Sequence, residues 1–141
     1  MSKKIQLAIR ISLFFVYFWF GALKLLQLSP AEELVHALFD STLAFLMPFT
    51  LFYSLFSAFE CFLGLLFLVK GFEKHAYYLL LAHIFTTAMP LILLPEFTWS
   101  GFLVPTLVGQ YILKNGVLVV AAWALAEATE VTAPKKSKSK V

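Results

Sequence analysis

LAFLMPFTLFYSLFSAFECFLGLLFLV, residues 43–69, contains a single charged side chain, Glu60. A helix that crosses a bilayer needs roughly 20 predominantly apolar residues at a rise of 1.5 Å each. This stretch exceeds that length, and its one interruption, Pro48, is expected to mark the true start of the helix. Three more runs read the same way: residues 5–28, 76–94 (broken near its end by Pro90 and Pro95) and 103–126. Four spans with short connections account for residues 1–130. The expected fold is therefore all-α, a polytopic bundle of four transmembrane helices.

Composition agrees. Of 141 residues, 61% are hydrophobic and 13% charged, with a mean hydropathy of +0.87. A soluble domain runs about 45–50% apolar and about 25% charged. A water-soluble core and a disordered chain are both excluded on these figures. The one cysteine, Cys61, rules out an internal disulfide and a cysteine-pair redox centre. The N-terminal Lys3 and Lys4 followed by an apolar run imitate a signal peptide. That run outlasts an h-region and meets no small-residue cleavage site, so it reads as the first span. Residues 131–141, with Lys135, Lys136, Lys138 and Lys140, read as a disordered basic tail that touches anionic headgroups. No folded basic surface accompanies it, so nucleic acid is not an expected partner.

Charge placement orients the bundle. Outside the spans, Lys and Arg fall at the N-terminus, at Lys70 and Lys74, and in the tail. The other two loops carry Glu32, Glu33, Asp40 and Glu96 and no basic residue. The positive-inside rule then places both termini in the cytoplasm, and Trp19, Phe97 and Trp99 suit the outer aromatic belt. In the first outer loop, Ser29, Pro30 and Glu32 match a capping box for a short amphipathic segment over residues 34–39.

Ionisable groups inside a bilayer cost roughly 2.5–3.5 kcal/mol each on insertion scales, so they need partners or a function. With Arg10 counted among the N-terminal charges, each span holds one: Lys24, Glu60, His83 and Lys114. Helical spacing puts Arg10, Phe14, Tyr17, Gly21 and Lys24 on one face of the first span, and Tyr53, Ser57, Glu60 and Gly64 on one face of the second. His83, Thr86, Thr87 and Pro90 share a side of the third, and Thr106, Gln110 and Lys114 a side of the fourth. These faces are expected to converge, with Gly21 and Gly64 permitting close helix approach. Counting the rise from the cytoplasmic ends puts Glu60 at about 15 Å, His83 at about 12 Å, Lys114 at about 20 Å and Lys24 at about 24 Å. A buried cluster of Lys24, Glu60, Lys114 and His83 is thus within reach. Such a cluster locks helix packing, lines a cavity for a quinone headgroup, small solute or proton path, or meets a partner subunit. Lys24 alone can also snorkel toward Glu32 or Glu33. His36, His75 and His83 have no paired spacing, so no metal site is expected.

Three segments, Phe18-Trp-Phe-Gly-Ala-Leu-Lys24, Phe59-Glu-Cys-Phe-Leu-Gly-Leu65 and Gln110-Tyr-Ile-Leu-Lys-Asn115, resemble the DoxX-like family of small four-helix bacterial membrane proteins. The resemblance runs over residues 9–126. It implies a multi-pass protein of the bacterial inner membrane, acting as a small or accessory subunit of a membrane complex. The family's name comes from a subunit of a thiosulfate:quinone oxidoreductase, so a quinone is the cofactor it implies. A larger protein partner or a homo-oligomer is implied with it. Some redox-associated relatives carry cysteine pairs, which this chain lacks. Gly21, Lys24, Glu60, Gly64, Lys114 and Asn115 match the family's pattern; Lys24, Glu60, His83, Gln110, Lys114 and Asn115 make up the candidate polar pocket, and Gly21 and Gly64 are the helix-packing residues. A non-catalytic scaffold or assembly factor and a small transporter are the alternative readings.

Overall fold

The computed structural model describes residues 1–130; the basic tail expected over 131–141 lies outside the described residues. Helix α1 spans Lys3–Leu25 and starts at Ser2, whose hydroxyl accepts from Ile5 N–H at 3.3 Å. It stops earlier than residue 28. The Leu28 N–H reaches Leu23 C=O and the Gln27 N–H reaches Lys24 C=O, with Gln27 at φ 57°. This is a Schellman ending in which Gln27 takes the left-handed position that glycine usually fills.

Helix α2, Glu32–Thr42, is longer than the segment expected over residues 34–39. The expected capping box does not form. Ser29 Oγ accepts from Ala31 N–H at 3.2 Å and so closes a turn before the helix, whose N-cap falls at Ala31. A short hydroxyl side chain that bonds two residues on is no longer available to the first helical turn. Helix α3, Phe49–Leu68, has Pro48 at its N-cap, so the long 43–69 stretch starts its helix where Pro48 indicated.

Helix α4, Glu73–Ala88, gives way at the prolines to two four-residue helices, α5 (Pro90–Leu93) and α6 (Pro95–Thr98), each with proline in its first turn. Next comes a small antiparallel hairpin that the sequence did not announce, β1 (Trp99–Gly101) with β2 (Val104–Pro105). It delays helix α7 to Leu107–Glu130, past the expected start at residue 103. Trp99 Nε1 donates to Leu91 C=O at 2.9 Å, and Thr106 Oγ1 donates to Phe97 C=O at 2.7 Å. Thr106 Oγ1 also accepts from Gly109 N–H at 3.1 Å, which caps α7.

The result is an all-α bundle in which α1, α3, α4 with α5, and α7 are each long and apolar enough to cross a membrane. Helix α1 packs most extensively on α3, and α4 on α7. A Cβ at Gly21 would lie 2.9 Å from Cys61 N and Ser57 O, and one at Gly64 would lie 2.7 Å from Phe18 N, so both contacts require glycine. The core gathers Leu13, Tyr17, Leu63, Phe67, Ala76, Leu80, Ala122 and Leu125. Phe15, Phe62, Phe85 and Val117 stay exposed on the outer wall, as lipid-facing residues do. The end of the bundle where α1 begins is called basal below, and the opposite end apical.

Candidate functional site

Three of the in-span ionisable residues meet at one point. Lys24, in the last turn of α1, donates from Nζ to Glu60 Oε2 on α3. His83 Nε2 on α4 stands 3.3 Å from Glu60 Oε1. Their exposures are 7%, 4% and 5%, so the cluster is closed off within the protein. Position explains part of this choice, because a cation in the last turn of α1 is favoured by the helix carbonyls there. Rings complete the enclosure. Phe56 lies 5.4 Å from Lys24 Nζ and 5.2 Å from the His83 ring, while Tyr17 meets that ring edge-on at 5.5 Å.

Residue counting put Lys24 about 9 Å apical of Glu60 within the expected cluster, and the structure brings the two into direct contact. Helix α1 is offset basally, since Gly64 near the end of α3 rests against Phe14 and Phe18 in the middle of α1. The rise per residue measures depth within one helix; the glycine contact sets the register between two.

His83 Nδ1 is buried with no hydrogen-bond partner. In the neutral tautomer whose Nε2–H faces Glu60, Nδ1 is a bare acceptor. Thr86 and Thr87 do not serve it, because their hydroxyls bond back to His83 C=O and Ile84 C=O within α4. A second unpaired group, Tyr53 Oη, lies apical to the cluster on the same face of α3. Chemically, the cluster provides one neutralised ion pair and one acceptor nitrogen in a low-dielectric pocket walled by rings.

The other candidate residues lie elsewhere. Lys114 and Gln110 are exposed on α7, and Lys114 Nζ sits 5.4 Å above the Tyr111 ring, so Lys114 does not join Lys24 and Glu60 as expected. Asn115 is half-buried. The buried residues of α7 are Gly109, Ala122, Leu125 and Ala126, and its polar residues fall outside that stripe. A polar face can be located by periodicity, but its direction depends on which stripe packs. Cys61 Sγ lies 3.7 Å from Phe18 C=O in the α1–α3 contact. Among the described residues no group of three His, Cys, Asp or Glu is placed to hold a metal.

One buried site was missed. Arg10 Nη1 donates to Phe67 C=O at 3.0 Å, and its Nη2 donates to Glu73 Oε1, with Arg10 5% and Glu73 3% exposed. Sorting by position assigned Arg10 to the terminal charges. The signal was its place on the same helical face as Tyr17, Gly21 and Lys24. Two grooves open on the surface, an apical one along α2 beside Glu32, His36, Asp40 and Phe97, and a basal one between α4 and α7. Neither touches the cluster. No protein-family model, no curated protein and no solved structure matches the chain.

Proposed function

We propose that this chain is a small accessory subunit of a bacterial inner-membrane complex, of the DoxX-like kind, with both termini cytoplasmic. The reading is carried by one observation. Lys114 and Gln110 stand exposed on a membrane-spanning helix, whereas Arg10, Lys24, Glu60 and Glu73 are neutralised in pairs inside the bundle. An exposed intramembrane cation is costly unless a neighbour compensates it, and a partner subunit's helix is such a neighbour. Purification from native membranes in mild detergent tests this. A stoichiometric partner should accompany the wild-type chain and be lost with Lys114→Gln. A chain that purifies alone, at monomer size, overturns the reading.

The unpaired His83 Nδ1 favours a second reading, that the complex is quinone-linked and the cluster receives the headgroup. A buried acceptor nitrogen fits a quinol hydroxyl, and Lys24 offers a donor for a ring oxygen. The quinone, when bound, supplies two-electron, two-proton redox chemistry. In the chain itself, Glu60 orients both neighbours and balances the Lys24 charge, while the Tyr17, Phe56 and Phe59 rings keep water out. Organic extraction of the purified protein should return stoichiometric quinone, reduced sharply by His83→Phe. Absence of quinone together with no binding on titration removes this reading and leaves the accessory-subunit reading intact.

A further inference from the structure

Helix α7 carries a second periodic face that the bundle leaves uncovered. Leu107, Gln110, Lys114, Val117, Ala121 and Ala124 follow one another at alternating steps of three and four residues. That is the seam spacing of a helix that packs along a neighbouring helix. The seam runs beside the stripe of Ala122, Leu125 and Ala126 that packs into the bundle. Leu107 and Val117 are 65% and 71% exposed, Gln110, Lys114 and Ala124 are exposed, and Ala121 is half-buried. Its composition suits helix association in a bilayer: the alanines let two backbones approach closely, and Gln110 and Lys114 bring polar groups that bond across helices.

The charge in the seam selects what covers it. Lys114 lies seven residues into α7, about 10 Å from its apical start, within a stretch long and apolar enough to cross a membrane. Its Nζ stands 5.4 Å from the Tyr111 ring, which carries no full negative charge. Acyl chains over the seam would leave the cation in hydrocarbon, which is costly. A second copy does not neutralise it either. In a parallel two-fold pair, equivalent seam positions face each other, so Lys114 would meet Lys114. In a head-to-tail contact the copy would present Glu32, Glu33, Asp40 and Glu96 from its apical elements, or Glu127 thirteen residues basal of Lys114. Glu60 and Glu73 are buried in pairs of their own. Among the described residues, therefore, no unburied carboxylate of this chain is level with Lys114.

Resting on the accessory-subunit reading, we infer that the Leu107–Ala124 seam of α7 is covered by a transmembrane helix of a different subunit. That helix carries a carboxylate level with Lys114 and, within one turn of it, a hydrogen-bonding side chain opposite Gln110. The test is photocrosslinking in native membranes, with p-benzoylphenylalanine placed singly in the full chain at Leu107, Val117 and Ala124, and off the seam at Gly116 and Trp123. The three seam positions should give an adduct with one and the same partner, and Gly116 and Trp123 should give none. The crosslinked peptide should map to an apolar segment of about 20 residues that contains Asp or Glu. Lys114→Arg should retain the Val117 adduct and Lys114→Glu should abolish it. Replacing the partner's carboxylate by lysine in the Lys114→Glu background should restore it. Ala124→Leu, which points outward and leaves the bundle intact, should cut the Val117 adduct by about fivefold or more, as an overpacked contact does. An adduct of twice the chain's own mass, adducts as strong at Gly116 and Trp123 as on the seam, or a crosslinked segment without a carboxylate overturns the inference. So does a partner that co-purifies yet gives no seam adduct, and in each of these last two cases the accessory-subunit reading stands. A chain that purifies with no partner overturns that reading, and this one with it.

Discussion

The two buried charge sites in this bundle use the same helix and differ in how completely they are satisfied. Arg10 and Lys24 lie fourteen residues apart on α1, about 21 Å along its axis, and each faces a carboxylate from another helix. At the basal site the planar Arg10 fork divides between Glu73 and the Phe67 carbonyl, one of the orphan acceptors at the end of α3. Glu73 opens α4, where the helix N-terminus favours an anion. Neither residue leaves a buried polar atom unpaired. The Lys24–Glu60–His83 site keeps one nitrogen unserved. Native interiors seldom leave buried polar atoms unpaired, so the unequal accounting separates a site explained by packing from one with capacity to spare.

The comparison breaks most visibly when one member of either pair is removed. Arg10→Ala or Glu60→Ala should each destabilise the chain by about 3–5 kcal/mol, because an uncompensated charge stays buried. Reversible unfolding in mixed micelles, followed by tryptophan fluorescence, measures this. The sites should diverge on double substitution. Arg10→Met with Glu73→Leu should recover most of the loss, since replacing a buried pair by packed apolar residues is often neutral, and partner co-purification should persist. Lys24→Met with Glu60→Leu should recover stability as well, but quinone should no longer co-extract. If both doubles behave alike in every readout, the distinction between the sites fails.

The glycine contact that brings Lys24 level with Glu60 offers the next test. Gly64→Ala and Gly21→Ala should each cost about 1–3 kcal/mol by overpacking. Gly64 is the tighter position, because its added methyl would lie 2.7 Å from the Phe18 backbone nitrogen, against 2.9 Å from the Cys61 and Ser57 backbone atoms at Gly21. Equal costs would show that α1 shifts as a rigid rod and relieves both contacts together.

Much of this was readable in the residues. Four spans followed from apolar length, and Pro48, Pro90 and Pro95 announced where helices start and break. The pairing of Lys24, Glu60 and His83 followed from their periodic faces. What residue counting missed has common physical causes. The inward direction of a helix face is set by its packed stripe, which on α7 is Gly109, Ala122, Leu125 and Ala126, so Lys114 and Gln110 turned outward. Relative depth is set by interhelical register, which Gly64 against Phe18 determines and a count from chain ends does not. The Trp99–Pro105 hairpin is held by tertiary bonds, Trp99 to Leu91 and Thr106 to Phe97, that leave little local trace.

His83→Phe should have a small effect on stability and be the sharpest test of the comparison. The substitution removes the contact with the charged Glu60 carboxylate at 3.3 Å, worth about 1.5–3 kcal/mol net. It also removes a buried nitrogen that no group serves, whose burial costs about 1–3 kcal/mol. Lys24 continues to neutralise Glu60, and a phenyl ring keeps the contacts with Tyr17, Phe56 and Phe59. The two polar terms therefore nearly cancel, and the unfolding free energy should move by no more than about 1 kcal/mol in either direction. Arg10→Leu, by contrast, should be severe, because it strands Glu73 and the Phe67 carbonyl together. A His83→Phe variant that loses as much stability as Arg10→Leu would mean that the histidine is structural, and that the two sites are of one kind.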